Sequence, residues 1–328
     1  MRHPTTKLIL LSLLLLAGQI LFAQKPSKKA ARYFEKVTDI IKGNYYFIDS
    51  INFSELKLRA KIFLSNAKST EDTYPAIDTV LYNLYDKHSY FWKPLINNTI
   101  DSIFPLMYPT GYVLTGNIGY IKVPPMVGHN NLSQTWADSL RNIYNRIKSK
   151  NIIGWIIDLR GNFGGNVHPM LTGLYPFFGD TTIATFKIKN YGEGEYKFSN
   201  ESLVESSSNK TLFAFQKYKT NNMLPDRRKV AVLINNEVAS SGEIIAITFL
   251  DRPNTKLFGT PTAGIPTAVR NWTLPNGAIL GIVIGAFIDK NRKEYLTSIK
   301  PAVNVAQRKD NSNFDETVIK ATEYLLTK

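Results

Sequence analysis

The stretch Val230 to Gly264, VAVLINNEVASSGEIIAITFLDRPNTKLFGTPTAG, constrains this chain more than any other. Five consecutive apolar residues, Val230 to Ile234, are too few for a helix and read as a fully buried strand. Asn235, Asn236 and Glu237 break the pattern. After Ser240-Ser241-Gly242-Glu243, the run Ile244-Ile245-Ala246-Ile247 continues as a helix. A serine at a strand-to-helix turn can expose a reactive oxygen, with the backbone N–H groups of the helix start facing it. Those groups can hold a developing oxyanion. The simpler reading makes Ser240 the N-cap of this helix, with Glu243 three residues on completing a capping box. The rest of the chain has to separate the two.

A chain of 328 residues with 44% hydrophobic content can bury a large core, and one main domain with a smaller one is the natural expectation. Arg2 and Lys7 precede the apolar run Leu8–Leu16, and Leu21-Phe22-Ala23 offers a cleavage site before Gln24. Residues 1–23 therefore read as a secretory signal peptide, and the mature chain as exported, periplasmic or extracellular. No later stretch is long and apolar enough to cross a bilayer. The chain has no cysteine, which excludes a disulfide framework, a thiol nucleophile and a thiolate metal site. No histidine–carboxylate cluster has ligand spacing, so neither a metal nor a cofactor is expected. The formal charge of +14 falls to +12 without Arg2 and Lys7. The remaining lysines are scattered and no basic–aromatic repeat occurs, which argues for solvated surface rather than nucleic-acid binding.

Three segments near the start of the mature chain have helical spacing: Ala30 to about Lys42, Phe53–Lys68 and Thr73–Tyr85. They predict a helical region over 24–105, ahead of an α/β domain over 106–328. The first region ends in Asp86-Lys87-His88-Ser89-Tyr90-Phe91. The mature chain has only His88, His129 and His168, so an imidazole base must be one of these. His88, at a helix end between an acidic residue and a serine, is the most site-like. Further on, Gly119–Val123 reads as a strand, Leu132–Lys148 as an amphipathic helix and Gly154–Leu159 as a second buried strand. Strand, helix, strand at this spacing is a right-handed crossover, which makes the sheet at least partly parallel.

Arg160-Gly161-Asn162-Phe163-Gly164-Gly165-Asn166 is the second informative turn. Its glycines permit positive φ and close backbone approach. It lacks Gly-Lys-Ser/Thr and the dinucleotide-binding spacing, so phosphate binding is disfavoured. The other use is an oxyanion hole built from the Gly164 and Gly165 N–H groups. Asp158 and Arg160 read as a structural ion pair. Beyond a charged, serine-rich excursion over 192–209, Thr255–Phe258 forms a strand. Pro275-Asn276-Gly277 marks a hairpin turn, and Glu316–Leu326 a closing helix.

Taken together, Gly119-Tyr120-Ile121, Ile157-Asp158-Leu159-Arg160-Gly161-Asn162-Phe163-Gly164-Gly165-Asn166, Ala239-Ser240-Ser241-Gly242-Glu243 and Gly259-Thr260-Pro261-Thr262-Ala263-Gly264 resemble the motifs of peptidase family S41. That family holds the C-terminal processing and tricorn-like proteases. Asp86-Lys87-His88-Ser89 resembles its Asp-x-His-Ser element. The motifs stand in family order over roughly residues 80 to 305. The resemblance implies a crotonase/ClpP-like core of repeated ββα units behind a helical N-terminal region. It also implies serine endopeptidase activity on exported proteins or peptides.

Position by position, the resemblance puts the nucleophile on Ser240 and the oxyanion donors on Gly164, Gly165 and Ser241. The processing proteases take their base from a lysine after the Thr-x-Gly loop. Here that loop continues Thr262-Ala263-Gly264-Ile265-Pro266, without the lysine. The stretch between His88 and Gly119 is also too short for the PDZ domain of those enzymes. Both departures point to a PDZ-less branch with Ser-His-acid chemistry. There His88 is the base, and Glu294 or Asp289 is the acid that orients it. Lys122, where tricorn-like members carry a histidine, is the alternative base. A catalytically inactive secreted binding protein on the same scaffold is the alternative function, because the family's Gly-x-x-Pro-Asp element is degraded to Ser298-Ile299-Lys300-Pro301-Ala302. An acyl-CoA enzyme on that core is disfavoured by export.

Overall fold

The computed structural model describes residues 25–94, 103–206, 208, 210–214, 224–306 and 315–327, and the expected signal peptide lies outside them. The chain forms two compact units, one of residues up to 94 with 271–282, the other of 95–270 with 283 onward.

In the first unit, α1 spans Lys28–Asn44. Ser27 caps it, its hydroxyl accepting from the Ala30 N–H at 3.1 Å. Ala30, Tyr33, Phe34, Val37 and Ile41 recur at the helical period and are buried, so this stripe is the unit's core. Helix α2 covers Phe53–Ala60 and passes into a 3₁₀ turn at Lys61–Leu64, so the helix expected to reach Lys68 stops earlier. Helix α3 is Tyr74–Tyr82, with proline in its first turn, where a missing N–H costs nothing. Strand β1, Tyr90–Trp92, pairs antiparallel with residues 279–281. Asn276, in the expected hairpin turn, accepts from the Tyr33 hydroxyl at 2.7 Å and donates to the Tyr74 hydroxyl at 2.9 Å. Residues 271–282 thus belong with the helical region, although the sequence assigns them to the α/β domain.

The second unit is built on a six-stranded sheet of β2 (Thr110–Leu114), β3 (Ile118–Lys122), β4 (Gly154–Asp158), β9 (Lys229–Ile234), β10 (Thr255–Gly259) and β14 (Val303–Asn304). Its order is β14-β10-β9-β4-β3-β2, parallel throughout except for the antiparallel edge strand β2. The expected crossover is α4, Ser133–Lys148, between β3 and β4. Side chains of the central strands alternate between two apolar layers. Trp155, Ile157, Val230, Val232 and Ile234 face the larger core with Trp136, Leu140 and Ile147 of α4. Ile156, Ala231 and Leu233 face Ala321 and Leu325 of α7, Glu316–Leu326. This double burial is why the central strands read as unbroken apolar runs rather than alternating ones.

Between β4 and β9 come α5 (Val167–Gly173) and the antiparallel strands β5 (Thr182–Ile188), β6 (Gly192–Ser199), β7 (Ser202–Glu205) and β8 (Lys210–Ala214). The charged, serine-rich excursion begins with the antiparallel pair β6 and β7, and β5, beside β6, also pairs with residues 285–288 of β12, Ile279–Ile288. Helix α6, Ser241–Leu250, joins β9 to β10. It is apolar on all sides and buried over Ser241–Phe249, as a helix enclosed by core must be.

Candidate active site

Parallel strands deliver their following loops to one edge of the sheet, where open α/β proteins place their ligands. Here the loops after β3, β4, β9 and β10 meet at that edge and are joined by hydrogen bonds. Asn162 is the main fastener. Its fully buried side-chain amide donates to the carbonyls of Val123 (3.1 Å) and Pro124 (3.2 Å), while its backbone carbonyl accepts from the Ala239 N–H at 3.0 Å. Met126 and Gly165 form a parallel bridge, Met126 N–H to Gly164 O at 3.1 Å and Asn166 N–H to Met126 O at 2.7 Å. Gly165 (φ +109°) approaches so closely that a Cβ would lie 2.0 Å from the Met126 carbonyl oxygen, so no other residue fits.

Ser240 stands at the N-terminus of α6 with φ +50° and ψ −120°. The Ala239 carbonyl accepts from the Gly242 N–H at 2.9 Å, which makes Ala239–Gly242 a type II′ turn with serine where glycine is usual. An ordinary N-cap sits in the extended region and does not need this conformation. The capping-box partner is nonetheless present: the Glu243 carboxylate accepts from the Ser240 N–H at 3.0 Å. The Glu243 N–H goes to the Ser240 carbonyl at 2.9 Å. The turn therefore keeps the Glu243 contact of a capping box in a backbone conformation that an ordinary N-cap does not use.

The neighbouring serine is spent. The Ser241 hydroxyl donates to the Gly165 carbonyl at 2.6 Å and ties the glycine turn to the helix start. Of the three expected oxyanion donors, the Gly164 N–H is engaged by the Asn162 side-chain oxygen at 3.0 Å. Among the described residues, the N–H groups of Gly165 and Ser241 donate to no protein acceptor. A Cβ on Gly164 would lie 2.8 Å from the Ser240 Cβ and 3.2 Å from the Ser241 nitrogen, so the turn lies directly against the serine.

Glu243 is fully buried and accepts from four donors. Besides Ser240 these are the Thr262 hydroxyl, the Gly264 N–H and the Ile265 N–H, the last two at 2.9 Å. Burial pushes its carboxyl up, and the four hydrogen bonds oppose that rise. One carboxylate thus fixes both the serine turn and the loop after β10, a role the spacing Ser-x-x-Glu signals only as a cap.

Lys122 has a different partner set from that of a base. Its ammonium donates to the Arg160 carbonyl at 2.5 Å and lies 3.3 Å from Asp158. Asp158 and Arg160 form the expected structural pair at 2.7 Å, and Arg160 also grips Asp315, the N-cap of α7, through two hydrogen bonds. Burial alone would raise the Asp158 carboxyl, but Arg160, Lys122 and Tyr120 hold it below the usual range. Asp289 also has other work: it accepts from the N–H groups of Asn291 and Lys293, both at 2.9 Å, and from the Tyr295 hydroxyl at 3.0 Å. It closes a tight turn, and its oxygens are committed there. Glu294 is exposed on the short strand β13, Glu294–Tyr295.

His88 lies in the first unit, within a turn organised by Asp86. One Asp86 oxygen accepts from the His88 N–H at 2.7 Å and from the Ser89 N–H, and the other from the Ser89 hydroxyl at 3.0 Å. Burial pushes the imidazole down to about 4, with the Asp86 charge acting in the opposite direction. His88 is consequently neutral near pH 7. The other two histidines are structural: His129 donates to the Phe104 carbonyl at 2.9 Å, and His168 packs edge-on to Tyr196.

Comparison with known proteins gives the family of the chain. The nisin-resistance protein of Lactococcus lactis subsp. lactis is 28% identical over 249 residues, covering 76% of this chain and 74% of that protein. The carboxy-terminal processing protease CtpA of Bacillus subtilis (strain 168) is 24% identical over 188 residues, 57% of this chain and 34% of its own length. A lipoprotein from Streptococcus agalactiae shares the fold with a TM-score of 0.75 at 21% identity, covering 92% of this chain and 98% of that one. Peptidase family S41 matches residues 117–305, the stretch that carries the serine turn, the glycine turn and the loop after β10. This chain belongs to peptidase family S41.

Proposed function

We propose that the protein is an exported serine endopeptidase, with Ser240 as nucleophile and His88 as general base, on a core of crotonase/ClpP type. The observation that carries this reading is the conformation of Ser240. A non-glycine residue in glycine's conformation stands beside the N–H groups of Gly165 and Ser241, which among the described residues donate to no protein acceptor. Local strain of this kind costs about 1–3 kcal/mol and persists where a reactive group must be aimed. In the proposed cycle the neutral His88 imidazole takes the Ser240 proton as Oγ attacks the scissile carbonyl. The carbonyl oxygen becomes an oxyanion held by the Gly165 and Ser241 N–H groups. The imidazolium protonates the leaving amine, and water then hydrolyses the acyl-enzyme by the same route in reverse.

The spent donors refine the proposal. Gly164 supports the hole through Asn162 rather than donating into it. With Asp289 closing its own turn, Asp86 is the carboxylate whose charge acts on His88. Lys122 serves as a strut between Asp158 and the Arg160 carbonyl. Export rests on the leader-like first residues; among the described residues no helix is long and apolar enough to cross a membrane.

The test is hydrolysis of an unbiased peptide mixture, read by mass spectrometry, by the chain from Gln24 beside Ser240→Ala and His88→Ala. The parent is expected to cleave, and both variants to stay folded while losing at least about 100-fold in rate. Equal cleavage by Ser240→Ala would sink the mechanism. A parent that cleaves nothing would turn attention to a binding protein on a peptidase scaffold.

A further inference from the structure

Phe163 is the one large side chain in the glycine turn that the fold does not bury. It stands between Asn162 and Gly164, whose backbones are both pinned: Asn162 N–H to the Leu159 carbonyl at 2.8 Å, Gly164 N–H to the Asn162 side chain, and Gly164 O to the Met126 N–H. Its backbone therefore has little freedom, yet its side chain remains 43% exposed. The ring meets Phe104 at 6.0 Å between centroids and 44° between planes. Phe104 is itself held, because the His129 ring donates to its carbonyl, with His129 in the left-handed conformation at φ +50°. The two rings thus share an apolar surface two residues along the chain from Gly165, whose N–H is a donor of the proposed oxyanion hole. Beside a reactive site, a half-exposed aromatic surface of this kind can receive an apolar side chain of the substrate.

We propose that Phe163 and Phe104 form a specificity wall for the peptide substrate, which receives a large aliphatic or aromatic side chain from one of the two residues flanking the scissile bond. The proposal rests on the reading of Ser240 and Gly165 given above and names the substrate class for that site. A peptide whose carbonyl oxygen reaches the Gly165 N–H must run its neighbouring side chains past this turn. A large apolar side chain there buries surface against both rings, and a carboxylate would lose hydration without a partner.

The test uses two readouts so that catalysis and recognition fail separately. Cleavage of the peptide mixture is compared between the parent chain, Phe163→Ala and Phe104→Ala. The parent should cleave beside Phe, Leu, Met or Tyr. Each variant should lose about 10-fold or more in kcat/KM for those peptides, mainly through KM, and much less for peptides with Ala or Ser there. In parallel, the same peptides are titrated onto Ser240→Ala with and without Phe163→Ala, which reads the wall even if hydrolysis is absent. Binding of apolar peptides that weakens about 10-fold on removing the ring supports the wall. Ser240-dependent cleavage with an unchanged residue preference in Phe163→Ala overturns the wall and leaves the peptidase reading intact. Equal binding of apolar and acidic peptides to Ser240→Ala overturns it as well.

Discussion

Glu243 shows how much one side chain can carry. Replacing it with Gln keeps the size but presents an NH₂ group to an array of donors: Ser240, Thr262, Gly264 and Ile265. At least one buried donor then loses its acceptor, which costs about 1–3 kcal/mol. Glu243→Gln is expected to lower the thermal midpoint by several degrees and to slow turnover, measured by calorimetry and by kcat on one peptide. An unchanged midpoint would mean that the four contacts are not simultaneous. His88 gives a pH prediction. With the imidazole pushed down to about 4, the base stays neutral where an ordinary histidine near 6.5 would already be protonated. The acid limb of kcat/KM should therefore lie well below pH 6, and a limb at pH 6.5 would contradict it. Stability follows the same sign. The unfolded chain binds the proton first as pH falls, so the contribution of His88 is present above about 6.5 and lost between there and about 4. A denaturation midpoint that falls less over this window in His88→Gln than in the parent is the expected result.

The turns and strands tell a second story. Gly165 is the position where backbone approach leaves no choice, since a Cβ would meet the Met126 carbonyl oxygen at 2.0 Å. Gly165→Ala must push the turn away from Met126 and carry its N–H off target. Loss of one oxyanion donor costs about 10²–10³ in kcat, so activity should fall by that order while far-UV circular dichroism stays unchanged. Retained kcat would remove Gly165 from the hole. The elements themselves were largely readable: β9, α4, β4 and α7 lie where apolar runs and 3.6-residue periodicity put them. The second predicted helix was not, because Lys61–Leu64 tightens to 3₁₀ although its residue types continue the helical pattern. Neither were the tasks of Asp289 and Lys122. Each is a charged residue beside a strand end, and only the folded chain shows what holds it, the 289–293 turn for one and Asp158 with the Arg160 carbonyl for the other.

Over the full chain, the division into units departs from a simple N-terminal boundary. The hairpin 271–282 belongs with the helices, where β1 pairs with residues 279–281 and Asn276 bridges Tyr33 and Tyr74. Asn276→Ala should destabilise that unit by about 1–2 kcal/mol for two lost hydrogen bonds. Hydrogen exchange would then quicken in α1 and α3 while the β4–β9–β10 sheet keeps its protection; uniform quickening would argue for one cooperative body. The amino-acid order alone determined the parallel sheet, its crossover and the positions of the serine and glycine turns. Those signals are local: buried strands need continuous apolar runs, helices a repeating stripe, and tight turns glycine. Which donors stay unpaired, how Ser240 is bent and where the hairpin docks were settled by the folded chain. Each depends on a hydrogen-bond partner far away in sequence, as Gly164 and Asn162 depend on Met126, Val123 and Ala239, and no local pattern records such a partner.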